Sequence, residues 1–311
     1  MKVAVIDLGT NTCNLLIANI AQQGFEIIHQ SKQLVKLGDD DIKNDQISQP
    51  ATERVIAAFC EQQKIINRYR IKKVRVLATS AIRSADNKIP FLETISSQSG
   101  WIVKIVSGDE EADLIFKGVL LALGEIENPS VILDIGGGSN ELILAHKKEM
   151  LWKESQPAGM ARVISQYALS DPLKADELQI LHNFFEARHG AAFVQCKEKA
   201  IKTLVGCSGA FDTLADIIDQ VNPGEKQRRH QEIQLNKFFD VYHTLLESTR
   251  EQRLNMKGMD MVRVDLIVPA MIFIGQLIKE AGISKIVQTD YALREGVLYE
   301  LMESEQDASL T

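Results

Sequence analysis

One strand–turn–strand unit is written into this chain twice. The first copy reads Ile6-Asp7-Leu8-Gly9-Thr10-Asn11-Thr12-Cys13-Asn14-Leu15-Leu16-Ile17-Ala18, the second Leu133-Asp134-Ile135-Gly136-Gly137-Gly138-Ser139-Asn140-Glu141-Leu142-Ile143-Leu144-Ala145. Laid together without a gap, both have an aliphatic approach, an Asp, a Gly, a hydroxyl residue (Thr12, Ser139) and an aliphatic exit closing on Ala. Apolar segments on either side of a glycine turn make a β-hairpin, and a repeated hairpin predicts two similar halves facing each other. Backbone N–H groups and hydroxyls in such turns can hold an anion, while Asp7 and Asp134 can hold a cation on it. An ordinary glycine hairpin accounts for either copy alone. The shared offsets of Asp and hydroxyl favour two phosphate grips with a metal between them.

A chain of 311 residues exceeds one comfortable core and suits two domains. The second hairpin follows a break at Asn128-Pro129, so the expected domains are 1–124 and 125–311, with the last helix able to pack back on the first. A net charge of −7 argues against nonspecific binding to nucleic acid or an anionic membrane, and a polyanionic substrate needs a local basic groove. Cys13, Cys60, Cys196 and Cys207 form no C-x-x-C pair and read as reduced structural thiols. The first residues lead directly into a strand and no apolar run reaches a membrane span, which predicts a cytoplasmic protein.

Strands are expected at 2–6, 14–20, 25–30, 73–79, 101–106, 150–155 and 285–287, with a polar loop over 38–48. Helical spacing covers 52–70, 91–97, the stretch after Gly108, 176–199, 230–250, 268–281 and 293–302, and residues 304–311 read as a frayed tail. Strands alternating with helices describe sheets covered by helices, an α/β fold.

Neither the dinucleotide-binding G-x-G-x-x-G nor the Walker loop is present, and the second turn runs into the aliphatic ELILA rather than a helix. A third glycine turn, Gly206-Cys207-Ser208-Gly209, is balanced between a contact to a more distant phosphate and a plain strand-to-helix turn. Arg83, in a turn after a strand, can clamp phosphate or form a surface salt bridge. Asp109, Glu110 and Glu111 suit a helix dipole, and one of them can also accept a proton from water. Arg263-Val264-Asp265 and Arg294-Glu295 read as ion pairs, and Lys226, Arg228, Arg229 and His230 as a basic cluster that either meets a polyanion or opens a helix. The six histidines show no zinc spacing.

The succession DLGTNT, SAIRSADN, SGDEEADLIFKGV, DIGGGSNEL, SQPAGMARV, GCSGAFDTLA, MVRVDLI and LREGVL resembles the exopolyphosphatase/guanosine pentaphosphate phosphohydrolase family across nearly the whole chain. The resemblance implies two ribonuclease-H-like domains, of the actin, sugar-kinase and heat-shock ATPase superfamily, flanking a cleft. It implies Mg²⁺-dependent removal of terminal phosphate from inorganic polyphosphate. The alternatives are the 5′-phosphate of guanosine pentaphosphate, or binding of either without cleavage. By residue match Glu111 is the general base, Arg83 the clamp, and Asp134 and Glu141 the organisers of Mg²⁺ and water. Gly136, Gly137, Gly138 and Ser139 hold the reacting phosphate with Asn11 and Thr12. Gly206, Ser208 and Gly209 are carried as further phosphate contacts and Asp7 as a further metal ligand. Family members often pair, so a homodimer is expected. This chain departs at Asn140, where the family has Thr, and at Ala210-Phe211-Asp212 in the third loop. Set against the longer members of that family, a short two-domain form without their HD-type domain is expected.

Overall fold

The protein is described by a computed structural model covering residues 1–21, 24–38 and 45–310, with side chains through Ser304. It divides into two compact units, residues 1–118 with 293–311, and residues 119–292.

The first unit begins with an antiparallel meander of β1 (Lys2–Leu8), β2 (Thr12–Ala21) and β3 (Gly24–Leu34). Helix α1 (Gln49–Arg68), capped by Ser48 Oγ on the Ala51 N–H, leads to β4 (Lys73–Ala78), which lies parallel to β1. After α2 (Ser80–Ser84) and α3 (Lys88–Ser99), β5 (Val103–Ile105) adds parallel to β4. Val3, Ala4, Val5 and Ile6 are all fully buried, as expected of a strand covered on both faces. Helix α4 (Gly108–Leu123) follows, and the unit boundary falls inside it.

The second unit repeats the plan. Strands β6 (Ile126–Ile135), β7 (Asn140–Lys147) and β8 (Glu149–Gln156) form the meander. Helices α5 (Met160–Gln166) and α6 (Ala175–Glu198) precede β9 (Thr203–Cys207), parallel to β6. Then come α7 (Gly209–Asp219), β10 (Gln231–Ile233), α8 (Leu235–Glu247), α9 (Arg250–Leu254), α10 (Ile267–Ala281) and β11 (Lys285–Thr289). The closing helix α11 (Leu293–Leu310) belongs to the first unit. There it crosses α4 so closely that a Cβ on Gly296 would stand 1.9 Å from the Leu114 carbonyl oxygen.

Sheet order is β3-β2-β1-β4-β5 in one unit and β8-β7-β6-β9-β11 in the other, with β10 added antiparallel on the β11 edge. Three antiparallel strands followed by two parallel ones, twice, are two ribonuclease-H-like sheets. In each, the turns leaving the parallel strands emerge at one edge. Leu8 is in register with Ala78 and Ala78 with Ile105, as Asp134 is with Cys207 and Cys207 with Thr289. Open α/β sheets place their ligand chemistry at that edge.

Several local expectations change. Residues 80–83 are the one-turn helix α2 rather than a turn. The stretch 230–250 holds a strand, β10, before α8, because Gln231, Glu232 and Ile233 pair with β11. The backbone of 304–310 continues α11 instead of fraying. Within the loop expected over 38–48, residues 39–44 lie outside the described residues, and so does Thr311 of the tail. The division falls after Gly118, not at 124.

The basic cluster opens no helix and is largely consumed by the fold. Arg228 is buried, with Nη1 2.7 Å from Asp216 Oδ1 and Nη2 2.8 Å from Asp219 Oδ2. Lys226 pairs with Asp219, while Arg229 donates to the carbonyls of Leu121 and Ala122.

Candidate active site

Both hairpin turns close in the same way. Gly9 N–H donates to Thr12 O at 2.9 Å, and Gly136 N–H to Ser139 O at 3.0 Å. At Gly136 the reason for glycine is room, since a Cβ there would sit 2.6 Å from Ser139 O.

In the second turn every loop carbonyl is taken from behind. Met160 N–H donates to Gly136 O, the Ala161 and Arg162 N–H groups to Gly137 O, and Gly159 N–H to Gly138 O. A trans peptide points its C=O and the next N–H in opposite directions. The N–H groups of Gly137, Gly138 and Ser139 therefore turn away from α5, an arrangement suited to an anion. Gly159 lets the two backbones approach, because a Cβ on it would lie 2.4 Å from the Gly137 carbonyl carbon.

The first turn uses a different support for the same end. Leu37 N–H donates to Thr10 O, and the Val35 and Lys36 N–H groups to Asn11 O, turning the N–H groups of Asn11 and Thr12 the other way. Thr10, Asn11 and Thr12 are buried, and Asn11 Nδ2 has no hydrogen-bond partner among the described residues. A buried amide donor left unpaired costs about 1–3 kcal/mol, which an incoming oxygen would recover.

The two Asp residues differ in their partners across the hairpin. Asp134 stands opposite Glu141 in the β6–β7 register, and both carboxylates are buried. Ser208 Oγ donates to Asp134 Oδ2 at 2.7 Å, and Ser155 Oγ to Glu141 Oε1 at 2.7 Å. Asp7 stands opposite Asn14 instead, whose amide donates to Asp7 Oδ2 at 3.2 Å. Desolvation pushes the Asp7 carboxyl above its ordinary range, although the Arg294 charge and the Asn14 bond pull it back. Two carboxylates in an all-oxygen setting match Mg²⁺, which takes one or two protein carboxylates and fills its remaining positions with water and substrate oxygens. Among the described residues no group of three or more His, Cys, Asp or Glu side chains could hold a metal alone.

The acidic triplet at the start of α4 separates by role. Glu110 accepts from the Ser107 N–H at 2.8 Å while Ser107 Oγ accepts from the Glu110 N–H, a capping box. Glu111 turns inward and is buried, with Oε2 2.8 Å from Arg83 Nη1, which also donates to Val106 O at 2.9 Å. Arg83 is thus no surface pair, because its partner is the buried carboxylate of another helix.

The third turn divides as well. Gly206 is a packing residue: a Cβ there would meet the Phe211 ring at 2.1 Å. Ser208 adopts φ +66° and carries the hydroxyl bonded to Asp134. On Gly209 lies the Arg263 guanidinium, where a Cβ would be 2.2 Å from Nη2. Sequence reasoning read Arg263 as half of an ion pair. Instead Asp265 pairs with Arg250. The one signal of Arg263 in the sequence was its place in the MVRVDLI segment.

Each unit thus carries a matched hairpin with outward-turned amides on an α/β sheet, and the second adds a buried carboxylate pair. The chain belongs to the Ppx/GppA phosphatase family, whose model matches residues 16–305, and is accordingly a phosphoanhydride hydrolase. It is 26% identical to exopolyphosphatase 2 of Mycobacterium tuberculosis over 314 residues, covering 96% of this chain and 98% of that one. To a putative exopolyphosphatase of Haemophilus influenzae it is 26% identical, covering 99% and 94%. Among solved structures, an exopolyphosphatase from Cytophaga hutchinsonii superposes with a TM-score of 0.93 at 32% identity, covering 98% of both chains. The Aquifex aeolicus Ppx/GppA family member shares the fold, with a TM-score of 0.82 at 24% identity and 98% coverage of each.

Proposed function

We propose that this chain is an Mg²⁺-dependent exopolyphosphatase, releasing terminal phosphate from inorganic polyphosphate. The observation that carries the reading is the buried Asp134–Glu141 pair beside a loop whose carbonyls are all engaged from behind. Such a pair is costly without a cation, and the loop amides suit the oxygens of a terminal phosphate. Two relatives named exopolyphosphatase, aligned over nearly their full length, support the substrate class.

In this reading the amides of Gly137, Gly138 and Ser139 hold the reacting phosphate, and those of Asn11 and Thr12 assist. Asp134 and Glu141 would hold Mg²⁺, which supplies charge neutralisation on the anhydride oxygens, with Asp7 as a further ligand. Glu111 accepts the proton of the attacking water, and Arg83, bonded to it, keeps that carboxylate oriented and offers its remaining N–H groups to phosphate. Ser208, Gly209 and Arg263 would receive the next phosphate along the chain. Positioning and electrostatics account for most of the rate, since phosphoryl transfer asks little covalent help from protein. The same reading has the protein act in the cytoplasm as a homodimer.

The test is phosphate release from tripolyphosphate, tetrapolyphosphate, long-chain polyphosphate and guanosine pentaphosphate, each with Mg²⁺ and with chelator. Mg²⁺-dependent release from the inorganic chains is the expected result. Release from guanosine pentaphosphate alone would replace the substrate, and tight binding with no release from any would make the chain a sensor.

A further inference from the structure

Behind the glycine loop runs a buried polar chain with no part in the steps above. Asn140, fully buried at the start of β7, places Nδ2 2.7 Å from Ala158 O and 3.5 Å from His189 Nε2. Ala158 O can only accept, so the atom facing it is the amide nitrogen, and this fixes which way the amide points. His189 Nε2 then meets an N–H and must present a lone pair. The ring proton belongs on Nδ1, which donates to Glu154 Oε1 at 2.8 Å. His189 is fully buried on α6, and Phe273 of α10 stacks on it at 4.5 Å.

Burying an imidazole and an amide beside a largely covered carboxylate is often no more favourable than apolar packing of the same volume. The Asn140 amide even leaves Oδ1 without a hydrogen-bond partner among the described residues. What the chain secures is the Ala158-Gly159 turn. That turn lies in backbone contact with Gly137 and supplies the N–H that holds Gly138 O. The order of connection is therefore Glu154, His189, Asn140, Ala158, then the loop.

We infer that His189, kept in its Nδ1–H form by Glu154, is a positioning residue for the phosphate loop. It touches no substrate, and acts by fixing the amide that anchors the turn beneath residues 136–138. This inference rests on the reading of that loop as the phosphate cradle. A displaced loop costs rate out of proportion to its movement, because donors must meet the reacting phosphate within a few tenths of an ångström.

The test compares wild type, His189→Phe, His189→Gln and Glu154→Gln as full chains, with tripolyphosphate and Mg²⁺. Phe keeps the ring and its stacking on Phe273 but offers no acceptor, so kcat should fall about 10- to 100-fold, with the melting temperature largely kept. Gln restores an acceptor toward Asn140 and should recover most of the loss. Glu154→Gln keeps an acceptor for Nδ1–H and should lose less than His189→Phe. Nitrogen-15 NMR of wild type should show Nδ1 protonated and Nε2 bare. An Nε2–H tautomer overturns the inference, as does wild-type kcat and KM in His189→Phe. Should His189→Phe fail to fold, a His189→Gln variant that folds but is as inactive as an alanine substitution overturns it too. If wild type releases no phosphate at all, the substrate reading has failed instead, and the NMR tautomer still decides the arrangement around His189.

Discussion

Asp134 and Glu141 stand directly opposite each other across the β6–β7 hairpin, two buried acids at a position where Asp7 and Asn14 occupy the first hairpin. Like charges directly opposite destabilise a sheet. Glu141→Gln should therefore leave stability in chelator unchanged or raise it by about 0.5–1 kcal/mol. It should also abolish the Mg²⁺-induced rise in melting temperature expected of wild type and reduce phosphate release at least about 100-fold. Thermal melts with Mg²⁺ and with chelator, alongside the release assay, measure all three.

Adjacent acids on α4 separate capping from chemistry. Glu110→Gln should retain near wild-type turnover and lose at most about 1 kcal/mol, since Gln still serves a capping box. Glu111→Gln should cut kcat about 10²- to 10⁴-fold with little change in KM, because the amide keeps the size and loses the basicity. Steady-state kinetics on the two variants would show the contrast, and equal effects would undo the assignment of Glu111 as base.

Asp7 gives a pH-dependent prediction. Its folded carboxyl has a raised proton affinity, chiefly from desolvation. The fold thus prefers the protonated form, so the Asp7 contribution to stability is present at low pH and lost as pH rises through the folded pKa. Asp7→Asn should melt higher than wild type at neutral pH, and the gap should close on acidification. Melting curves from pH 4 to 8 test the sign.

Arg228 predicts a stability defect without a substrate defect. Removing it leaves Asp216 and Asp219 facing each other, and loss of one partner of a buried pair costs about 3–5 kcal/mol. Burial alone would push the Asp219 carboxyl up, yet bonds and charge from Lys226 and Arg228 hold it below the ordinary range. Its stabilisation is full above the unfolded value near 4 and disappears as pH falls through the lower folded value. Arg228→Met should flatten that acid limb, while KM for long-chain polyphosphate in the folded fraction stays within about twofold of wild type.

The duplicated hairpins were legible because their signal is local: Asp, Gly and hydroxyl at fixed offsets between aliphatic strands. Long helices such as α6 and α10 showed for the same reason, through apolar spacing. Three residues of β10 did not, because a short edge strand beside a helix lacks a period of its own. Neither Arg228 nor Arg263 shows its tertiary surroundings in the sequence. Arg228 lies in a run of basic residues that reads either as a polyanion contact or as a helix start, but its partners Asp216 and Asp219 arrive through a turn of the chain. Arg263 lay beside Asp265 and suggested an ion pair, but that aspartate is turned to Arg250. Partner choice among charged side chains is a tertiary property. Glu111 was singled out by resemblance alone, and only its burial against Arg83 separates it from Glu110.

The second unit is one uninterrupted stretch of chain, whereas the first needs α11 to lie against α4 and to bring Arg294 and Glu295 near Asp7. During synthesis the Asp134–Glu141 hairpin can thus reach its final form while the surroundings of Asp7 still await the last helix.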